Sequence, residues 1–309
     1  MASARHLGLG DLLGAGVRGV SRYTGTVLAV FVVQSLVAAG CMFAVASVLA
    51  QTFAHLPMFD EAVDGSLAAL LWCLRHGSSS FLAIGGLLLG AVVLWELASW
   101  FLVGGLCGVF ARHPEGRADT ARCFGAAGAA TYLRYARLAP CSIPGYVAVA
   151  ILFALGMSVA APRIEHALTL PQLLGPLVLG ALPALLVLHL LWTVSDHARV
   201  ELTLRHETHD PGVVRAYLRA FGFVLRRPLT LVHTGVGWLL FLLVTTSYAY
   251  LAQGHPMYGA EGAITLFFVR QGVALLRMAI KIGILAGQVE LGRTRPPPPR
   301  VEPKTSAAD

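Results

Sequence analysis

The sequence predicts an all-α fold, a polytopic transmembrane helical bundle with about six spans and amphipathic interfacial helices. Composition is the first indication: 56% of the 309 residues are hydrophobic, 13% are charged, and the mean hydropathy is +0.70. Soluble domains carry about 25% charged residues. The other two indications are the lengths of the apolar segments and the uneven distribution of basic residues between them.

Each apolar segment is long enough to cross a bilayer, because a helix spans about 30 Å of hydrocarbon in roughly 20 residues. The first segment follows a long N-terminal region that contains Arg5, Arg18 and Arg22. It also exceeds the apolar core of a signal peptide, so we expect it to remain as an anchor. The six segments are residues 25–50, 81–110, 143–161, 170–194, 230–251 and 264–285.

Basic residues concentrate on one side of these segments. Of the 23 Lys and Arg residues, 18 lie in the N-terminal segment, the second and fourth connectors and the C-terminal tail. The other three connectors contain only Arg75 and Arg163. Because basic loops face the cytoplasm, both termini are expected there. The strong preference for arginine over lysine is typical of GC-rich bacterial coding, so the expected location is a bacterial inner membrane.

The predicted organisation has three parts. Residues 1–24 form a cytoplasmic amphipathic segment, residues 25–292 form the six-span membrane domain, and residues 293–309 form a Pro-rich cytoplasmic tail. The tail cannot bury an apolar face, so it is expected to be disordered. We also expect an outer-surface helix within residues 63–74 and a kink at Pro183 in the fourth span.

Arg-bearing amphipathic stretches precede the first, third and fifth spans, at residues 9–23, 122–138 and 213–227. This pattern predicts three units, each made of one interfacial helix and two spans. In the third stretch, an apolar stripe at helical spacing leaves the arginines on another face. A short helix packed on the bundle is the alternative. The stripe comprises Val213, Val214, Tyr217, Leu218, Phe221, Val224 and Leu225.

The sixth span carries three basic residues on one helical face. Arg270, Arg277 and Lys281 are separated by seven and four residues, so they lie within about 40° of one another, and Gln288 extends the row. Cations inside a bilayer normally face the protein interior or water, and they indicate a functional site. The alternative is that Arg270 and Lys281 reach toward the two membrane surfaces and leave only Arg277 deep.

Glu96 is the only acidic residue well inside a predicted span, and its estimated depth matches that of Arg277. We therefore predict an ion pair between the two, since either charge alone would be costlier in hydrocarbon. A purely structural pair is the alternative. The remaining cations suit an anionic ligand, such as a lipid headgroup or a phosphate. His189 lies near Lys281 in depth and is a further candidate, with packing as its alternative role.

No catalytic or metal-binding pattern accompanies these residues. The H-E-T-H segment at residues 206–209 lacks the spacing of the zinc-binding HExxH motif, and the five cysteines form no CxxC pair. GxSxG, P-loop and GxGxxG motifs are absent from the sequence. We therefore expect no cofactor, no metal and no enzymatic activity. The dispersed basic residues also argue against nucleic-acid binding.

Three GxxxG spacings predict sites where helix backbones approach closely. Glycine lacks a side chain, so a pair on one face leaves a groove for a neighbouring helix. We expect internal packing at these grooves, and dimerisation is the alternative. The pairs are Gly86 with Gly90, Gly104 with Gly108, and Gly283 with Gly287.

Two short elements resemble a pattern in uncharacterised six-span bacterial inner-membrane proteins. The first is Asp-His-Ala-Arg at residues 196–199, where the fourth span ends. The second is Arg-Arg-Pro at residues 226–228, where the following amphipathic helix ends. The three-unit layout is similar to the membrane domain fused to some glycerophosphodiester phosphodiesterases, although 309 residues leave no room for their catalytic domain. The resemblance implies the fold and an inner-membrane location, and it assigns no active residues.

These observations favour a non-enzymatic membrane protein that binds lipids, anionic ones in particular, or that assembles with protein subunits or a second copy. The alternative is a small transporter or permease component for an anionic or amphiphilic solute. In that interpretation the solute would use the cationic face of the sixth span, with Pro183 as a hinge.

Overall fold

The computed structural model describes residues 7–53, 58, 61, 69, 72, 78–166, 170–205, 212–253 and 259–294. Within these residues the chain forms α-helices and no β-strand. The predicted outer-surface helix at residues 63–74, apart from residues 69 and 72, the H-E-T-H segment and nearly all of the Pro-rich tail lie outside them. The helices are α1 (Leu9–Arg22), α2 (Thr24–Phe53), α3 (Ser78–Arg112), α4 (Arg117–Glu165), α5 (Leu170–Leu204), α6 (Val213–Arg226), α7 (Pro228–Gln253) and α8 (Gly259–Arg293).

Six of these helices, α2, α3, α4, α5, α7 and α8, are long and apolar enough to cross a membrane. This confirms the predicted number of spans and the all-α class. Many of their large apolar side chains are exposed, among them Leu36, Phe43 and Leu179. Water would disfavour such a surface, whereas lipid accepts it as long as the helices pair their own backbone groups.

Two of the three predicted interfacial helices are separate elements. A turn at Tyr23 divides α1 from α2. The non-helical Arg227, with φ −128° and ψ 85°, ends α6. Pro228 then begins α7, and proline suits a first helical position because its missing N–H would have no partner there.

The remaining predicted interfacial helix, at residues 122–138, is part of a longer helix. Helix α4 runs from Arg117 to Glu165 and continues through Pro140 and Pro144. Helix α5 likewise continues through Pro183, and its kink stays a prediction. Sequence periodicity predicted a separate surface helix before the third span. Periodicity alone does not reveal which small residues pack against a neighbouring helix.

The chain divides into two compact units, each built from several helices. The first unit comprises residues 1–20, 138–243 and 280–309, and the second comprises residues 21–137 and 244–279. Helices α5 and α6 pack together in the first unit, and α2 and α3 pack together in the second.

In the second unit, glycines bring α3 and α4 together. A methyl group at Gly104 would overlap the hydroxyl of Thr131, and one at Gly108 would overlap the side chain of Ala127. On α4, a methyl group at Gly128 would lie 2.8 Å from the carbonyl oxygen of Phe101. The predicted groove at Gly104 and Gly108 is therefore an internal packing site, and it explains why the first half of α4 is held against the bundle.

In the first unit, a second predicted glycine pair has the same role. A methyl group at Gly16 of α1 would lie 2.7 Å from the carbonyl oxygen of Gly283 on α8. One at Gly287 would lie 2.6 Å from His233 Nε2. Helix α1 therefore packs directly on α8. By contrast, a methyl group at Gly86 or Gly90 would meet no atom of the described residues within 4 Å, so those residues form no such groove at this pair.

Candidate functional site

The three basic residues of α8 have different surroundings. Arg270 is exposed and donates from Nε to the hydroxyl of Tyr248 at 2.8 Å. Arg277 is half-buried. Lys281 is exposed and interacts electrostatically with Asp196 on α5. The acidic residue near Lys281 therefore comes from a part of the chain that the sequence assigned to a connector.

Glu96 and His189 contribute differently to their helices. Glu96 is exposed on α3, and the hydroxyl of Ser99 donates to its carbonyl oxygen at 2.8 Å. The Glu96–Arg277 ion pair stays a prediction. His189 Nε2 lies 3.1 Å from the carbonyl oxygen of Leu231, to which it must donate, so His189 links α5 to α7. This contact favours the packing role for His189.

Gln288 connects three helices through polar contacts. Its Nε2 lies 3.4 Å from both Asp196 Oδ2 on α5 and Thr234 Oγ1 on α7. The side chain is only 1% exposed. Asp196 also pairs with Arg199 at 3.6 Å, one turn farther along α5. The Asp-x-Ala-Arg element noted in the sequence therefore begins a polar cluster within the first unit.

The same end of α5 holds α6 by charge and ring contacts. Glu201 is 4% exposed, and its Oε1 lies 3.7 Å from Arg205 Nε and 3.8 Å from Arg219 Nη1 on α6. The ring of His197 meets that of Phe223 edge-on, with centroids 5.3 Å apart. A buried carboxylate needs such partners, because an isolated charge in the interior is costly.

A chain of hydroxyls also joins α6 to the bundle. The hydroxyls of Ser142 on α4 and Ser195 on α5 lie 3.1 Å apart. Ser142 forms a further hydrogen bond with Tyr217 of α6. Burial raises the pKa of Tyr217, and the hydrogen bond with Ser142 opposes this rise to a smaller extent. Tyr217 is therefore held in its neutral form.

The Arg-Arg-Pro element fixes the corner between α6 and α7. The guanidinium of Arg227 lies 5.2 Å above the ring of Phe223, and its Nη1 donates to Thr294 Oγ1 at 3.1 Å. The hydroxyl of Thr230 donates to the Arg227 carbonyl oxygen at 2.8 Å. Both elements of the resemblance therefore take part in positioning α6.

Helix α6 has three distinct faces. At about 100° per residue, the buried face, the exposed apolar face and the arginine face point in directions roughly 110–130° apart. Ala216 and Ala220 form most of the packing face, and the apolar periodicity of the sequence singled out only Val224 from it. The buried face comprises Ala216, Ala220 and Val224, the apolar face comprises Val214, Leu218, Phe221 and Leu225, and the arginine face comprises Arg215, Arg219 and Arg226.

The exposed surface of α6 contains more large apolar side chains than is usual for a helix in water. Four large apolar residues lie side by side on a surface that the described part of the chain leaves uncovered. Arg215 and Arg226 are exposed beside them and form no ion pair with any described residue. Lipid-exposed apolar groups next to basic groups are typical of a helix in the membrane interface.

Comparison with protein-family models, with curated proteins and with solved structures finds no match to this chain. The contacts described above define a helical bundle with six helices long and apolar enough to cross a membrane, in which the end of α5 holds an amphipathic helix, α6, with an exposed apolar face beside an arginine face.

Proposed function

We propose that this chain is a non-enzymatic protein of a bacterial inner membrane, with both termini in the cytoplasm, that binds anionic lipids through α6. The three faces of α6 carry the proposal. Only at a membrane surface can one helix pack on the bundle, place apolar side chains among acyl chains and direct arginines toward headgroups.

The charge distribution supports anionic lipids as the ligand class. Each basic residue near a surface of anionic lipids gains about 1 kcal/mol. Arg215 and Arg226 are exposed, whereas Arg219 faces the buried Glu201. The first two arginines are thus available to headgroups, and the third holds the helix in place.

The transporter alternative would need a cavity at the cationic face of α8. Among the described residues, one cavity of about 970 Å³ lies where α2 begins and another of about 360 Å³ lies between α4 and α5. Neither is lined by Arg270, Arg277 or Lys281. The exposed apolar and arginine faces of α6 therefore favour lipid binding over transport.

Thermal unfolding in lipid nanodiscs tests the proposal. Adding phosphatidylglycerol to phosphatidylcholine discs is expected to raise the melting temperature of the wild-type protein. Arg215→Gln/Arg226→Gln removes about 2 kcal/mol of headgroup attraction, so it is expected to lose about 4 °C of this rise. Arg215→Lys/Arg226→Lys keeps the charge and is expected to retain it. An equal rise in the wild-type and glutamine proteins would overturn the proposal.

A further inference from the structure

A second candidate lipid site is a cleft in the second unit, which we call the α2–α4 cleft. It has a volume of about 970 Å³ and lies where α1 passes into α2 and where α3 passes into α4. Its lining includes Arg22, Glu115 and Arg117 beside the first residues of α2 and α4, which we call the mouth. It also includes Val30, Val33, Leu102 and Phe124 farther along the helices, which we call the body. It is therefore polar at one end and apolar at the other.

Contacts within the second unit fix the walls of this cleft. The hydroxyl of Tyr23, which is buried, donates to the carbonyl oxygen of Pro114 at 3.4 Å. Its ring also packs against Phe110, with centroids 6.0 Å apart. On the opposite wall, the ring of Phe124 packs edge-on against Phe101. A cleft with walls held in this way is largely formed before a ligand binds.

The mouth of the cleft carries an excess of positive charge. Arg22 and Arg117 outnumber Glu115, and among the described residues none of the three forms an ion pair. The Arg22 guanidinium is held 5.6 Å above the ring of Tyr23. Arg117 is also the first residue of α4, and the N-terminus of a helix favours an anion. Arginine binds phosphate in a bidentate manner, so a phosphate group suits this mouth.

The direction of the cleft matches that of a membrane lipid. The apolar span of α2 begins at Thr24, directly after Arg22 and Tyr23, so a bilayer around α2 would have Arg22 at its surface. Val33 lies nine residues farther along, about 14 Å deeper at 1.5 Å per residue. Its side chain is 40% exposed, so this end of the cleft opens sideways toward lipid. A water-soluble anion would not use the apolar wall, and a purely apolar molecule would not use the arginines.

We propose that the α2–α4 cleft holds one phospholipid with an anionic headgroup. Its phosphate lies between Arg22 and Arg117, and an acyl chain follows Val30, Val33 and Leu102. The volume lies at the upper end of the range of about 300–1,000 Å³ that is typical of ligand pockets. The ligand class rests on the proposed lipid binding, whereas the site is built from residues other than those of α6.

Native mass spectrometry of the full chain in detergent tests the cleft, with phosphatidylglycerol or phosphatidylcholine added as probe. The wild-type protein is expected to retain one phosphatidylglycerol after phosphatidylcholine has dissociated. Arg22→Gln/Arg117→Gln removes two charged contacts and is expected to weaken retention at least tenfold. Ala29→Phe fills the cleft and is expected to abolish retention. Leu28→Phe is the matched control, since Leu28 is an exposed neighbour outside the lining.

Circular dichroism of each variant separates loss of the lipid from loss of the fold. Unchanged retention in the folded Arg22→Gln/Arg117→Gln protein would overturn the proposal, as would equal retention in Ala29→Phe and Leu28→Phe. Displacement of the lipid by glycerol phosphate alone would indicate a simple anion site and would also contradict it. Arg215→Gln/Arg226→Gln is expected to keep the retained lipid, so the α6 proposal and the cleft proposal can fail independently.

Discussion

Replacing the buried Glu201 is expected to weaken the attachment of α6 to the bundle. Its carboxylate lies 3.7 Å from Arg205 and 3.8 Å from Arg219. At an effective dielectric constant of about 20, each attraction is worth about 4 kcal/mol. Burying the carboxylate offsets several kcal/mol of this gain. Glu201→Gln leaves two arginines without this carboxylate.

The expected loss in the free energy of unfolding is about 3 kcal/mol, at the lower end of the range for broken buried pairs. The lower end applies because the side chains of Arg219 and Arg205 are 27% and 13% exposed, so water can partly replace the carboxylate. At about 2 °C per kcal/mol, the melting temperature in detergent, followed by circular dichroism, should fall by about 6 °C.

Glu290→Gln provides the matched control for this prediction. Glu290 pairs with Arg293 at 3.3 Å, and these side chains are 41% and 29% exposed, so the pair contributes at most about 1 kcal/mol. Arg219→Gln should also cost less in the Glu201→Gln background than in the wild-type protein, because the shared contact is already lost. Equal melting temperatures for Glu201→Gln and Glu290→Gln would refute the reasoning.

Two further predictions concern helix contacts in the first unit. Gly156→Ala places a methyl group against the carbonyl oxygen of Gly180 on α5, so we expect the free energy of unfolding, measured by thermal unfolding, to fall by about 1–3 kcal/mol. The control is Gly175→Ala, which meets no described atom within 4 Å and should be neutral or slightly stabilising. An equal loss of stability in both variants would contradict the close approach of the two helices. Burial raises the pKa of Tyr217, so its contribution to stability is complete below its unfolded pKa of about 10 and is lost as pH rises through the folded pKa. Between pH 8 and pH 11 the melting temperature of Tyr217→Phe should therefore fall less than that of the wild-type protein. An equal fall in the two proteins would exclude this role for Tyr217.

The spans could be predicted from sequence because lipid imposes a simple requirement on length and polarity. The end of the fourth spanning helix, α5, could not be predicted from sequence. Polar residues after Val194 suggested a connector, yet α5 continues to Leu204 because Asp196, His197 and Glu201 find partners inside the protein. Hydropathy measures affinity for lipid, and it cannot distinguish a polar residue in water from one buried against another helix.

The candidate sites were less accessible to sequence reasoning. The pairing of Glu201 with Arg205 follows helical spacing, but its pairing with Arg219 depends on how α6 folds back on α5. The arginines at residues 22 and 117 lie far apart in the chain, so no local pattern could reveal the α2–α4 cleft. The cationic row on the sixth span was visible because a single helix contains all of it.

The packing of Gly16 on Gly283 has a consequence for biosynthesis. Helix α1 leaves the ribosome long before α8, yet its docking surface belongs to α8. During translation α1 therefore lacks its docking surface while the spans between α1 and α8 insert. Contacts so distant in sequence form late, because the chain must first close a long loop. A nascent chain that stalls before α8 would thus leave its earliest helix without its docking surface.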